Sequence, residues 1–431
     1  MLRRVVVRRY ITERVILAVG WAWFLIYAYP GYMAYDSASQ LAQARGLEPL
    51  NDWQPPLMAV IWRGFDAIIA GPFLMLVVQS VLFLGGSYAL LARALQPRTA
   101  AIVAVILLVA PQNITVLAVV WKDAQMAGFL IAGIAGLCSQ RRGWRMFGYA
   151  CLFLATGVRY NAAAATLPIV LFLFGDGALK WKRLALACAA WFAITVAAFA
   201  TNAALTEEHM HPWAVGAAPL DLAGTIRYAP DLDNAQLLRD TAGVPWYRTD
   251  NLQQRIRDHY KPQNHIHVIT LDPDKIIEMP TTEADRTAIA AAWKKLVFAY
   301  PLAYAHHRWS VFVAQLADKS PYPEIYSQFT YLNYEESLGH HAVHSKLQRA
   351  WVAAMQRLNW TPLFHIGLYF ALSLALLGLC WRDRLTALVL TSGIAHELGL
   401  GVAAPAVGYR YAQWMVACAL LGLVFAFKSR R

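Results

Sequence analysis

The stretch RTAAIVAVILLVAPQNITVLAVVWKDAQMAGFLIAGIAGLCS, residues 98–139, decides the fold class. It consists of two apolar runs, 98–118 and 123–139, separated by the polar step WKD at 121–123. A helix needs about 20 mostly apolar residues to cross the hydrocarbon core of a bilayer. The stretch therefore predicts two membrane spans joined by a short polar turn. Pro111 interrupts the first run, but a helix bundle can satisfy the backbone groups that a proline frees.

The same pattern continues along the chain, which is 58% hydrophobic and only 15% charged, with a mean hydropathy of +0.39. Soluble domains carry about 25% charged residues, so the composition indicates an integral membrane protein. No small-residue cleavage site follows the first apolar run, which we therefore interpret as an uncleaved span. The sequence predicts ten spans, at 14–33, 72–92, 98–118, 123–139, 145–159, 162–177, 183–204, 361–381, 384–402 and 408–427.

Basic residues cluster in alternate loops between these spans, as the positive-inside rule requires of cytoplasmic loops. The pattern places both termini in the cytoplasm, and it leaves only Lys122, Arg159 and Arg410 near the spans on the other side. It also accounts for the net charge of +12, so we expect no nucleic-acid partner. The predicted cytoplasmic residues are Arg93, Arg98, Arg141, Arg142, Arg145, Lys180, Lys182, Arg183, Arg382, Arg384, Lys428, Arg430 and Arg431.

Two long non-cytoplasmic segments complete the predicted organisation. The first long loop, 31–71, contains apolar residues at helical spacing from Pro55 to Ile69, which is typical of an interfacial helix. The second, 205–360, is polar and predicts a mostly helical extracytoplasmic domain, which we name the loop domain. Its apolar part, 288–316, is broken by charges and a proline, so it predicts an interfacial or domain-packing helix pair. Membrane modules of residues 1–204 and 361–431 flank the loop domain.

The absence of several sequence motifs argues against other kinds of chemistry. None of the five cysteines forms a CxxC pair, and neither a GxSxG nor a P-loop pattern occurs. The histidines lack an HExxH arrangement, so we interpret them as solvated loop or helix residues, and we interpret the aromatic residues of the loop domain as core. His396-Glu397, inside the ninth span, is a bundle contact or part of a site. The histidines in question are His209, His211, His265, His267, His306, His307, His340, His341 and His344.

Ionisable residues at the edge of a membrane are costly and are functional candidates by default. Asp36, Lys122, Asp123, Arg159 and Arg410 all fall at span ends on one predicted face. Each has an ordinary alternative, a helix N-cap for Asp36 and an interface anchor for the others. Asp52, in the first long loop, faces the same side, and its ordinary alternative is a turn followed by a helix start. Together they suggest a carboxylate base for a hydroxyl group and cations for a phosphate at the membrane surface. A lipid phosphate is the ligand that this combination fits.

These motifs resemble the GT-C superfamily of membrane glycosyltransferases, which use polyprenyl-phosphate-linked sugars. YDSASQ at 35–40 and DWQPPL at 52–57 resemble its first catalytic loop, and WKD at 121–123 resembles its second acidic motif. VRYN at 158–161 and RY at 410–411 resemble its later basic positions. The resemblance covers the chain well through the sixth span and weakly in the last one. The loop domain matches no part of the pattern.

The resemblance implies a GT-C-like all-α polytopic fold and a role for each matching residue. Asp36 would be the general base, and Asp123 would orient the acceptor or hold a divalent cation. Lys122, Arg159 and Arg410 would bind the donor phosphate. A divalent cation, Mg²⁺ or Mn²⁺, is the cofactor that some members use, but two carboxylates are a thin ligand set. Further substrate-binding residues would be Tyr35, Asp52, Gln54, which stands where related sequences often have His, and Tyr411.

The function predicted from these residues is inverting transfer of a hexosyl or pentosyl group at the periplasmic face of a bacterial inner membrane. The donor would be a polyprenyl-phosphate-linked sugar, and the acceptor a hydroxyl group of a glycan, lipid or protein. Membrane lipid would surround the spans. One alternative is a transporter or flippase for a lipid-linked glycan, which would grip phosphate with the same cations without chemistry. Another is a non-catalytic assembly protein.

Overall fold

The computed structural model describes residues 12–174, 181–263, 266–269, 275–318, 337–339, 345–358 and 361–429. Within these ranges all regular structure is helical, apart from three isolated β-bridges. The predicted all-α polytopic membrane fold is confirmed.

The first half of the chain forms ten helices. They are α1 (Glu13–Ala28), α2 (Tyr35–Ala44), α3 (Pro56–Asp66), α4 (Phe73–Leu91), α5 (Pro97–Val109), α6 (Pro111–Leu117), α7 (Lys122–Leu137), α8 (Arg142–Val158), α9 (Ala162–Phe174) and α10 (Trp181–Leu205).

The second half begins with a π-helical turn, Trp213–Ala217, which runs into the loop-domain helices. These are α11 (Ala218–Tyr228), α12 (Asn234–Asp240), α13 (Leu252–His259), α14 (Ile266–Ile269), α15 (Glu283–Ala299), α16 (Pro301–Ala317) and α17 (Lys346–Leu358). The chain ends with a 3₁₀ turn (Pro362–Phe364), α18 (Ile366–Cys380), α19 (Arg384–Ala403), a second 3₁₀ turn (Tyr409–Ala412) and α20 (Gln413–Ser429).

Each predicted span overlaps one helix or a bent pair of helices, although α1 ends at Ala28, five residues before the predicted limit, and residues 175–177 lie outside the described ranges. By length and apolarity alone, four of the described helices can cross a membrane, or five if the bent pair counts as one span. The total of ten spans stays a prediction. The four are α4, α10, α19 and the last helix with its preceding turn.

The span predicted at 98–118 is not one continuous helix. The structure divides it into α5 and α6, which meet at Pro111 at an angle of 64°. Proline has no N–H for the helix ladder, and its ring clashes with the preceding turn, so the helix bends at this residue. As a result, α6 turns toward the interior of the bundle and carries the chain to the start of α7.

Helix α7 is the centre of the membrane bundle and is buried along nearly its whole length between α4 and α8. Glycines permit this close packing. A Cβ atom on Gly86 of α4 would lie 2.7 Å from the backbone nitrogen of Ala132, and one on Gly136 would lie 2.7 Å from the Trp144 carbonyl oxygen. Small residues let membrane helices approach this closely. Lys122 and Asp123, the first two residues of α7, are therefore held by the most deeply buried helix of the membrane bundle.

The loop domain has its own apolar core, built around α11. Helices α15 and α16 form the helix pair predicted at 288–316 and both pack on α11. Helix α16 also packs against α18 and α19, two helices of the C-terminal membrane module. The loop domain is thereby joined to the segment that carries Arg410. Core residues include Leu220, Ile226, Ile256, Ile289 and Leu296.

Candidate active site

The start of α2 lies beside the start of α7 because the two preceding loops pair through their backbones. Tyr32 donates its N–H to the Ala118 carbonyl oxygen (3.0 Å) and accepts from the N–H of Val120 (2.9 Å). The Ser37 hydroxyl adds a bond to the Val120 carbonyl oxygen (2.7 Å). The buried amide of Gln79 holds the same segment by donating to two of its carbonyl groups. Residues 35–37 and 121–123 are thus neighbours.

Asp36 is the second residue of α2 and not its N-cap, because the helix begins two residues earlier than an N-cap at Asp36 would require and the N-cap position belongs to Ala34. Its carboxylate forms an ion pair with Arg410 from the 3₁₀ turn before α20, with 2.9 Å between Nη2 and Oδ2. The two side chains are 22% and 20% exposed, so they mark the open side of the site. The Arg410 guanidinium also lies 4.8 Å from the centre of the Trp121 ring.

A second ion pair lies deeper. Arg159, from the turn between α8 and α9, approaches Asp123 with 3.0 Å between Nε and Oδ1. The Asp123 side chain is fully buried and that of Arg159 is 11% exposed. Among the described residues, neither oxygen of Asp123 accepts a hydrogen bond of good geometry, so the charge of Arg159 is its main compensation. Removing one partner of such a pair is strongly destabilising.

Tyr411 joins the two pairs. Its ring centre lies 4.9 Å from the Arg159 guanidinium and 5.1 Å from that of Arg410. Lys122 completes the group by donating a hydrogen bond to the side-chain oxygen of Gln54. The structure therefore brings together seven of the nine residues that the sequence nominated, which we name the cationic cluster. They are Asp36, Gln54, Lys122, Asp123, Arg159, Arg410 and Tyr411.

The cationic cluster carries three positive and two negative charges, and its net charge of +1 favours the binding of an anion. Burial alone would raise the pKa of Asp36, but the charges of Arg410, Lys122 and Arg159 outweigh burial and lower that pKa to about 2. Asp36 is therefore ionised at neutral pH. An anion that neutralised the cations would raise this pKa and make the carboxylate a stronger base.

Tyr35 and Asp52 lie outside the contacts that define the cationic cluster. Tyr35 is 61% exposed at the start of α2. The Asp52 carboxylate accepts a hydrogen bond from the backbone N–H of Met210 (2.6 Å) and contacts His209 Nδ1 (3.2 Å). Asp52 thus fastens the first long loop to the segment that follows α10. This tie supplies a structural role for a residue that the sequence suggested as a substrate ligand.

Asn202 is a residue of this region that sequence reasoning missed. It is buried on α10, where its side chain accepts a hydrogen bond from Leu57 N (3.0 Å) and donates to the Gly157 carbonyl oxygen (2.8 Å). It therefore ties the start of α3 to the end of α8, just before Arg159. A lone asparagine inside an apolar run was the available signal, because buried amides are retained where they are fully bonded.

We expect Asn202→Leu to lower the thermal stability of the purified protein. The substitution leaves the Leu57 N–H and the Gly157 carbonyl group unpaired, and each unpaired buried group costs about 1–3 kcal/mol. Thermal unfolding in detergent measures the effect. The matched control is Thr201→Val on the exposed face of the same helix, where the hydroxyl bonds only to its own helix. Equal unfolding temperatures for the two variants would show that the amide does not hold α3 and α8.

His396 lies close to the cationic cluster, on α19. One turn before it, Ser392 donates to the Ala165 carbonyl oxygen of α9 (2.8 Å) and accepts from Trp414 Nε1 (3.0 Å). His396 therefore faces the start of α9, the helix that follows Arg159. The ring is fully buried, and neither ring nitrogen has a hydrogen-bond partner within the described ranges. Glu397, beside it, faces Gln315 of α16.

The donor atoms of the cationic cluster do not fit a divalent cation. Both carboxylates already form ion pairs with arginines, and Mg²⁺ and Mn²⁺ prefer unpaired carboxylate oxygens that converge. In the part of the chain that the structure describes, no three His, Cys, Asp or Glu side chains converge on one point. The interpretation as a solvated histidine is wrong for His307, which is buried in the loop domain between Tyr260 and Asp221. Five of the other histidines considered in the sequence analysis cannot be placed in this way. His265, His340, His341 and His344 lie outside the described residues, as does the side chain of His267.

Comparison with known proteins gives a distant likeness. No protein-family model matches the sequence, and no curated protein matches it significantly. Two solved structures of ArnT from Cupriavidus metallidurans are similar over 95% of this chain and 77% of theirs, at 14% sequence identity. The TM-score is 0.38 for the structure bound to undecaprenyl phosphate and 0.36 for the apo state. The chain is an all-α polytopic membrane protein, and its functional assignment comes from the side chains of the cationic cluster.

Proposed function

We propose that the chain is a membrane glycosyltransferase of the GT-C type that takes its sugar from a polyprenyl-phosphate donor. One observation carries the proposal: an ionised carboxylate, Asp36, lies 2.9 Å from Arg410, within a group of three cations at the ends of several membrane helices. A base for a hydroxyl group thus stands beside charges that suit a phosphate.

In this proposal the cations bind the phosphate of the donor. Arg410 and Arg159 offer planar forks of N–H donors, which suit phosphate oxygens, and Lys122 adds a point charge. The excess of one positive charge favours an anion, and the partial burial of the site strengthens each interaction. The same three side chains then stabilise the carrier phosphate as the leaving group. The polyprenyl tail lies among the membrane helices and the surrounding lipid.

Asp36 is the proposed general base. The acceptor hydroxyl loses its proton to the Asp36 carboxylate while its oxygen bonds to the anomeric carbon of the sugar. The bond from that carbon to the phosphate oxygen breaks, and the carrier phosphate leaves with the electron pair. Attack and departure take place on opposite faces of one carbon, so the anomeric configuration inverts. Binding of the donor phosphate neutralises the cations and thereby raises the basicity of Asp36.

Asp123 has a positioning role in this proposal. Its side chain is fully buried against Arg159, so it holds the guanidinium in place instead of contacting the acceptor. The acceptor belongs at the more exposed Asp36–Arg410 side, where a glycan, lipid or protein hydroxyl can enter. We place the active face in the periplasm and both termini in the cytoplasm of a bacterial inner membrane, in accord with the distribution of basic residues.

The test of this function is transfer by the purified protein. We expect reconstituted protein, given a panel of polyprenyl-phosphate-linked hexoses and pentoses with hydroxyl acceptors, to release carrier phosphate and to form a glycoside of inverted configuration. Product analysis by mass spectrometry and NMR measures both. Movement of the intact donor across a vesicle membrane without bond cleavage would instead establish the flippase alternative.

A pH profile provides a further prediction. Arg410→Gln removes a cation that opposes the effect of burial, so the pKa of Asp36 should rise from about 2 toward its ordinary value of 3.8. The carboxylate is the active form, so a higher pKa moves the acid limb of kcat/KM to higher pH. Profiles from pH 3 to 8 show the shift, because the wild-type limb lies below this range and the limb of the variant should enter it. An unchanged acid limb in this variant would separate Asp36 from the rate-limiting proton transfer.

A further inference from the structure

The loop 404–408, between α19 and the 3₁₀ turn that carries Arg410, is held by the loop domain. The N–H of Val407 donates to the Gln263 carbonyl oxygen (2.8 Å). Arg308 of α16 donates from Nη1 to the Ala404 carbonyl oxygen (2.9 Å). Both bonds cross from the loop domain to the C-terminal membrane module. The backbone leading to Arg410 is therefore fixed from outside the membrane bundle.

Among the contacts of the loop domain with the loop 404–408, that of Gln315 is the nearest to Arg410 in the sequence. Its side-chain oxygen accepts from Gly408 N (3.0 Å), and its amide nitrogen donates to the Gly408 carbonyl oxygen (3.3 Å). One buried amide thus satisfies both polar backbone groups of a residue two positions before Arg410. Such paired bonds fix the orientation of the backbone as well as its position.

Arg308 is itself anchored in the loop domain. Its Nη2 atom lies 2.6 Å from Oδ1 of the buried Asp221. Asp221 also accepts a hydrogen bond from Trp293 Nε1 (2.9 Å) and lies 2.9 Å from His307 Nε2. Tyr260 in turn bonds to the other ring nitrogen of His307. The contact of Arg308 with the loop 404–408 therefore rests on a buried polar network and not on a mobile surface side chain.

From these contacts we infer that Gln315 is a positioning residue: it sets the place of Arg410 against Asp36 and so couples the loop domain to the cationic cluster. The inference rests on the proposed function. An arginine side chain has several rotatable bonds, and the Asp36–Arg410 pair is partly exposed, so the pair needs a fixed backbone origin. A misplacement of about 1 Å at a catalytic group can cost a factor of roughly 100 in rate.

The test is Gln315→Ala in the full-length protein. We expect KM for the donor to rise about 10-fold or more, since the displaced Arg410 binds phosphate less well. The acid limb of kcat/KM should move to higher pH, in the same direction as in Arg410→Gln but by less. A residue that served stability alone would leave the acid limb in place.

Gln253→Ala is the matched control. Gln253 is also a buried glutamine that clamps backbone, since it accepts from Leu232 N (2.8 Å) and donates to the Pro230 carbonyl oxygen (2.9 Å). Its partners lie wholly within the loop domain, away from the loop 404–408. We expect it to lower the unfolding temperature without moving the acid limb. An acid limb of Gln315→Ala identical to wild type, or equal shifts in both variants, would overturn the inference.

The two levels of the proposal fail separately. If wild type transfers sugar but Gln315→Ala leaves KM and the acid limb unchanged, only the inference falls. If wild type transfers no sugar, the proposed function falls, and undecaprenyl phosphate binding in detergent then decides the inference. In that case Gln315→Ala and Arg410→Gln should both bind undecaprenyl phosphate more weakly than Gln253→Ala does. If Gln315→Ala binds it as tightly as the wild type, the inference is overturned.

Discussion

Asp36→Asn is expected to lower the rate of sugar transfer by about 10²- to 10⁴-fold, the range typical of a lost general base. Asparagine has nearly the same shape and can still accept a hydrogen bond from Arg410, but it cannot take up a proton at neutral pH. The substitution also removes one negative charge, so the net charge of the cationic cluster rises from +1 to +2. Binding of the carrier phosphate should therefore be unchanged or tighter, while turnover collapses.

The measurement is single-turnover transfer together with carrier-phosphate binding by the same preparation. Asp66→Asn is the matched control, because Asp66 on α3 forms a comparable ion pair with Arg45 (2.8 Å) outside the cationic cluster. It should keep transfer near the wild-type rate. Full transfer by Asp36→Asn would eliminate it as the base. A loss as large in Asp66→Asn would show that both variants suffer from misfolding.

Arg159→Met is expected to have the largest effect on stability and to abolish carrier binding. It leaves Asp123 fully buried without its compensating charge, and breaking a buried pair from one side costs about 3–5 kcal/mol. It also removes one of the three cations proposed to bind phosphate. The protein should unfold at a markedly lower temperature, and undecaprenyl phosphate should no longer raise that temperature.

A double substitution separates the two effects. Adding Asp123→Asn to Arg159→Met removes the buried charge, so much of the stability should return, while carrier binding should not. Thermal unfolding of wild type, both single variants and the double variant, with and without undecaprenyl phosphate, measures the cycle. The prediction fails if Arg159→Met is as stable as wild type, or if the double variant is no more stable than Arg159→Met.

The positions of the membrane helices could be predicted from the sequence because apolar length is a strong signal. The bend at Pro111 could not, since a proline inside an apolar run is compatible with a continuous span or with a break. Contacts with neighbouring helices determine whether the span is continuous or broken. Asn113 bonds to Gln413 of α20, and the Gln112 carbonyl oxygen accepts from Tyr409, so contacts distant in sequence hold α6 at its angle.

The candidate site was predictable to the extent that charge is costly in a membrane. This cost singled out the acids and bases of the cationic cluster, but not the pairing of Asp36 with Arg410 or of Asp123 with Arg159. Asp52 carried the same signal as Asp36, yet its partners lie in the segment after α10, which has no recognisable pattern. Gln315 gave no signal at all, because its role depends on two bonds to one distant backbone residue.

The backbone pairing of Tyr32 with Ala118 and Val120 bears on the search for distant relatives. Two main-chain hydrogen bonds form this pairing, so the side chains of Tyr32, Ala118 and Val120 can diverge while Asp36 and Lys122 keep their separation. Sequence identity over the whole chain would then become undetectable while the residues of the cationic cluster were still retained. A profile that scores an acid shortly after the first span and a Lys-Asp pair before the fourth should retrieve homologues that whole-length alignment overlooks.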